Sequence, residues 1–189
     1  IPTAESWLAL YPECIYVVER SSEEQALAKY NYDQDALQKV REDAEENSQL
    51  AALKSKYYFT MPWFEGYEFY EVLNFPVDQF NFLEKLQISI ALIAALQKLH
   101  KAGWVHRDLK AENIIIQRLT DGTFVANLVD LDQAKKNGEA VDFFGTFEYI
   151  DPELLKQAKR NQCRASFSQD IFALGILLAE LWVGSCSAL

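Results

Sequence analysis

Apolar residues recur at helical intervals from Asp78 to His100, where "DQFNFLEKLQISIALIAALQKLH" places Leu83, Leu86, Ile90, Ile93, Leu96 and Leu99 three or four apart. That stripe predicts a long helix with its leucines and isoleucines packed into the core, and Gly103 shortly after it is a stop signal. Downstream, "NIIIQRLTDGTFVANLVDLD" holds two short apolar runs around Asp121-Gly122, the pattern of a β-hairpin. The apolar run "IFALGILLAELWV" (171–183) predicts a buried core helix; at 13 residues and with Glu180 inside it, it is too short and too charged to span a bilayer.

The amino-terminal third is patterned differently. "CIYVVER" (14–20) is β-branched and aromatic and reads as a strand, while "DQDALQKVREDAEENSQLAAL" (33–53) has helical spacing with a charged outer face. Between them "SSEEQALAKYNY" fits two forms: a helix opened by a Ser21/Glu24 capping box, or a turn leading to a strand that carries Lys29. "KYYFTMPWF" (56–64) reads as a buried strand ending at Pro62, followed by a short hinge over residues 62–66. The expected organisation is α+β: a small, strand-containing part over 1–61, the hinge, and a mostly helical part over 67–189.

Composition narrows the partners. Half of the 189 residues are apolar, enough for a real core, and the formal charge of -10 disfavours a nucleic acid or an anionic membrane as ligand. Cys14, Cys163 and Cys186 have neither metal-site nor disulfide-framework spacing, so reduced thiols in a cytosol-like compartment are expected. The first residues lack the basic flank and apolar stretch of a secretory signal.

The candidate chemistry lies between the long helix and the hairpin. His106, Arg107, Asp108, Lys110, Glu112 and Asn113 crowd into "HRDLKAEN" (106–113), and the hairpin ends in an acidic cluster at Asp130 and Asp132. A helix, a polar loop and a hairpin ending in carboxylates can hold a metal-bound nucleotide opposite a hydroxyl: phosphoryl transfer needs positioning, oxygen ligands for magnesium and a cation near the phosphates.

"HRDLKAEN" resembles the catalytic loop of eukaryotic-like serine/threonine protein kinases, with Ala111 where proline is usual. "LVDLDQA" (128–134) stands where that family has its metal-binding Asp-Phe-Gly turn, "GTFEYIDPE" (145–153) resembles the end of the activation segment, and "SQDIFALGILLAEL" (168–181) looks like the helix supporting the loop. The resemblance runs over about residues 56–184 and implies a two-lobed kinase fold, carried here only as far as that supporting helix. By it, Asp108 would accept the proton of the attacking hydroxyl, Lys110 would contact the transferred phosphate, Asn113 and Asp130 would bind magnesium, and Asp170 would hold the loop's backbone.

It also implies ATP as co-substrate. Lys29, paired with Glu46 (rivals Glu42 and Glu45), would grip its phosphates; Met61 would be the gatekeeper, with the Pro62 carbonyl and the Phe64 amide meeting adenine. The implied function is transfer of the γ-phosphate of Mg-ATP to serine or threonine of a protein substrate, in the cytoplasm, or in a host cytosol if the chain is a bacterial effector.

Two departures keep rivals open. No glycine precedes Gly66, so the expected glycine-rich loop is missing, which favours a pseudokinase scaffold; Asp132 in place of glycine also resembles kinases of small molecules and of lipopolysaccharide sugars. Between Leu131 and Gly145 there is no Ser, Thr or Tyr to phosphorylate, so Glu139 or Asp142, or else an activating partner, is expected to satisfy Arg107.

Overall fold

The computed structural model describes residues 2–12, 15–18, 57–60, 63–76 and 79–184, with backbone alone at 2–4, 15–18 and 57–60. The expected helix over 33–53 and the ambiguous stretch before it lie outside the described residues. The chain forms two compact units, 11–62 and 1–10 with 63–189. The first ten residues thus belong with the larger unit, whereas the sequence pattern had grouped them with the smaller.

In the smaller unit, β1 (Ile15–Val18) pairs antiparallel with β2 (Tyr57–Thr60), Ile15 opposite Thr60. Both fall inside the apolar runs that predicted strands.

The larger unit begins with α1 (Pro2–Leu10), then β3 (Tyr67–Glu68) and the short α2 (Phe69–Asn74). Its centre is α3 (Phe82–Lys101), opened by Asn81, whose side chain accepts the amides of Leu83 and Glu84 while Glu84 returns a bond to the Asn81 amide. Expected to start near Asp78, the helix therefore begins where this capping box sits.

Its core face differs from the predicted stripe. Ile88, Ala91, Leu92, Leu96 and Leu99 are buried, but Leu83, Leu86, Ile90 and Ile93 are exposed. The helix is apolar nearly all round, so a three-to-four spacing can be traced on either side. Contact with the hairpin and with α5 (Phe167–Val183) selects the face that is buried. In α5, likewise, Ala173, Leu174, Leu177 and Leu181 are buried while Ile171, Trp182 and Val183 are exposed.

After α3, Gly103 takes a left-handed φ of 82° and β4 (Trp104–Val105) leads into the polar loop. β5 (Ile114–Arg118) and β6 (Phe124–Leu128) form the expected hairpin, its turn held by Asp121, whose carboxylate accepts the Thr123 amide and hydroxyl at 2.9 and 2.7 Å. β3 adds to the other edge of β5, and β7 (Lys135–Lys136) pairs with β4. α4 (Pro152–Lys159), capped by Asp151, precedes α5.

At the entry to β3, Gly66 has a φ of 140°. A Cβ there would lie 2.3 Å from the Ile116 carbonyl oxygen, so only glycine permits the backbone approach that adds β3 to the sheet. Gly66→Ala is expected to lower unfolding free energy by about 2–4 kcal/mol in denaturant titration. A wild-type midpoint would contradict this.

Candidate active site

The loop between β4 and β5 is held by a carboxylate from another element. Asp170, in the first turn of α5 and 1% exposed, accepts the amide of His106 at 2.8 Å and the amide of Arg107 at 3.0 Å. It also accepts Nε2–H of His100 at 2.8 Å, and that imidazole stacks on Phe167. Three charge-assisted bonds at a helix N-terminus offset the cost of burying this carboxylate. Arg107, held this way, adopts a φ of 71°, which a non-glycine residue keeps only when its surroundings over-determine it.

His106 is fully buried and its Nε2 lies 3.0 Å from the Val129 carbonyl. A carbonyl only accepts, so Nε2 carries the proton and Nδ1 is left without a hydrogen-bond partner among the described residues.

Asp108 and Lys110 come next. One carboxylate oxygen of Asp108 accepts the Thr146 hydroxyl at 2.8 Å; the other lies 3.3 Å from Lys110 Nζ. Gly145, beside Thr146, has a φ of 142°, and a Cβ there would press within 3.2 Å of Ile150.

Asn113 reaches the same place through the hairpin. The ladder ends at Ile114 opposite Leu128, and one step further the Val129 amide bonds the Asn113 carbonyl at 2.9 Å. Asn113 and Asp130 therefore sit just beyond the ladder on adjacent strands. The Asn113 amide nitrogen donates to the Asp108 carbonyl at 2.8 Å, which leaves its Oδ1 to accept a cation. Asp130 is exposed and, with a φ of 56°, left-handed. One amide oxygen and one carboxylate suit magnesium, which is commonly bound by one or two carboxylates together with phosphates and water. Asp132 is exposed in the 3-10 turn that follows.

Of the expected site residues, the structure brings Asp108, Lys110, Asn113 and Asp130 together around one loop and one hairpin end. Phe64 is half-buried, whereas Lys29, Glu46, Met61 and Pro62 lie outside the described residues.

Arg107 is satisfied differently from expectation. Its guanidinium donates to the carbonyls of Gln133 at 3.1 Å and Asp142 at 2.6 Å and lies 6.0 Å from the Phe144 ring centre. The expected carboxylate partners make no ion pair with it among the described residues, and Glu139 pairs with Lys135. Burial pulls the Arg107 pKa down, while the negative potential of Glu139 and Asp142 opposes that shift.

Two bonds at the site had no mark in the sequence: His100, in the last turn of α3, to Asp170, and Tyr149 to Glu180, 3.2 Å long. Burial, then the Glu180 charge, pushes the Tyr149 phenol well above its ordinary range; burial also raises Glu180. Glu153 pairs with Lys156, one turn further along α4.

Comparison with known proteins agrees with this geometry. Residues 21–187 match the protein kinase domain. Similar relatives include the serine/threonine-protein kinase PKH3 of Saccharomyces cerevisiae, 31% identical over 144 residues, which is 67% of this chain and 15% of that protein. The rat 3-phosphoinositide-dependent protein kinase 1 is 37% identical over 99 residues, 49% of this chain and 16% of its own length; mouse protein kinase C delta type is 38% identical over 97 residues, 49% and 13%. The chain thus spans about a sixth or less of these relatives. The family implies ATP-dependent phosphoryl transfer, and among the described residues no helix is long and apolar enough to cross a membrane. The chain belongs to the protein kinase family.

Proposed function

We propose that this chain carries the catalytic residues of a serine/threonine protein kinase that uses Mg-ATP and acts in the cytoplasm. The observation that supports this most directly is the Thr146 hydroxyl resting 2.8 Å from the Asp108 carboxylate. Asp108 already accepts a side-chain alcohol at the distance a general base needs, and a serine or threonine of a protein substrate presents the same group.

When bound, Mg-ATP supplies the phosphoryl group and the metal's charge. Asp108 takes the proton of the substrate hydroxyl and orients its lone pair toward the phosphorus. Lys110, 3.3 Å from Asp108, balances the carboxylate and would contact the transferred phosphate. Asn113 Oδ1 and the Asp130 carboxylate would hold the metal, and Asp170 fixes the loop through its bonds to the His106 and Arg107 amides. Asp132, like Asp130, is exposed, so burial does not separate this reading from that of a small-molecule kinase; the acceptor that is labelled does.

Arg107 already has two carbonyl partners from the segment that a phosphate orders in other kinases. The proposal therefore includes activity without phosphorylation of that segment.

With labelled ATP, magnesium and generic protein substrates beside sugars and aminoglycosides, the intact protein is expected to label protein. Asp108→Asn is expected to lower kcat by about 10²–10⁴-fold, and Asp130→Asn by about a hundredfold or more. Activity surviving both changes would remove the kinase reading, and no activity in the unaltered protein would favour a scaffold. Phosphatase treatment is expected to leave the rate unchanged. A rate that tracks phosphate on Thr146 or Tyr149 in mass spectra would contradict phosphate-independent order.

A further inference from the structure

The metal-binding turn is bracketed on both sides of Asp130. Before it, the Val129 amide bonds Asn113 and the Val129 carbonyl accepts from His106. After it, the Leu131 carbonyl accepts two donors: the Ala134 amide at 3.1 Å, which closes the 3-10 turn, and the hydroxyl of Ser6 at 3.3 Å. Ser6 and Leu131 are both fully buried, and 125 positions separate them. A helical serine usually turns its hydroxyl to its own backbone or to water; Ser6 reaches across the unit. The rest of α1 supports the contact, with Trp7 and Leu10 buried and the helix packed on the turn Leu131–Gln133 and on α3.

Asp130 itself is left-handed at a φ of 56°. For aspartate that conformation is uncommon and costs about 1 kcal/mol or more, so it needs restraint from both flanks. His106 supplies one restraint from the catalytic loop.

We infer that Ser6 is a positioning residue for the metal site: its hydroxyl pins the Leu131 carbonyl and so fixes the left-handed turn that aims the Asp130 carboxylate beside Asn113. This inference rests on the kinase reading for its metal, but the restraint on the backbone stands apart from catalysis. It assigns to α1, the first element of the chain, a role at a site otherwise built from residues 106–134.

The test uses the intact protein. Ser6→Ala removes the donor while Ala134 still serves the carbonyl, so melting changes little. Two readouts follow: amide hydrogen exchange at residues 131–134, and affinity for Mn²⁺ in the presence of ADP by electron paramagnetic resonance. Ser6→Ala is expected to speed exchange there and to weaken Mn²⁺ binding about fivefold, with ADP affinity in metal-free buffer unchanged. Ser6→Thr, which keeps the hydroxyl, is expected to restore Mn²⁺ affinity. Should Ser6→Ala fail to fold, Ser6→Cys, matched in volume and a poor donor, is expected to behave like it in both assays. Wild-type exchange and wild-type Mn²⁺ affinity in the alanine or cysteine variant would overturn the inference. Failure of the unaltered protein to bind Mn²⁺ with ADP would instead count against the kinase reading, and the exchange assay would still decide the role of Ser6.

Discussion

The Asp170 carboxylate is the constraint on which the site depends. Buried at the start of α5, it gathers the His106 and Arg107 amides and the His100 imidazole, and so dictates where the loop leaves β4. Bonds to a buried ionised group contribute about 1.5–3 kcal/mol each, enough to hold Arg107 left-handed against its intrinsic preference. Once Arg107 is fixed, Asp108 turns toward Thr146 and Lys110, and the guanidinium turns toward the segment after Asp130. One carboxylate thereby sets the direction of both the candidate base and the arginine that orders its neighbour.

The hairpin does the complementary work. Its ladder is regular from Arg118–Phe124 to Ile114–Leu128, and the site begins where that regularity stops. Asn113 and Val129 continue the two strands by one bonded step, after which Asp130 enters a left-handed turn. A regular ladder thus carries the two proposed oxygen ligands, Asn113 and Asp130, at its open end.

The loop and hairpin were legible because their signals are local. Asp121-Gly122 between apolar runs specifies the turn whatever surrounds it, and "HRDLKAEN" is dense in chemistry over eight positions. The role of Asp170 was legible only through resemblance to a family. Partners defined by tertiary approach had no local mark: His100 bonds 70 positions away, Ser6 reaches 125, and Tyr149 finds Glu180. The core face of α3 misled for a related reason. Its sequence offers apolar residues on opposite sides, and packing against β6 and α5 made the choice. Gly66 could be counted in the sequence, but the approach of the Ile116 carbonyl that requires it could not.

The most direct test of the account is backbone hydrogen exchange at His106 and Arg107 in Asp170→Ala, measured beside the hairpin amides of residues 114–118 and 124–128. Loss of the carboxylate is expected to speed exchange of the two loop amides by about 10–100-fold while the hairpin keeps its protection. Loop amides that exchange as slowly as in the unaltered protein would show that something other than this carboxylate holds the loop, and the account of the site would not stand.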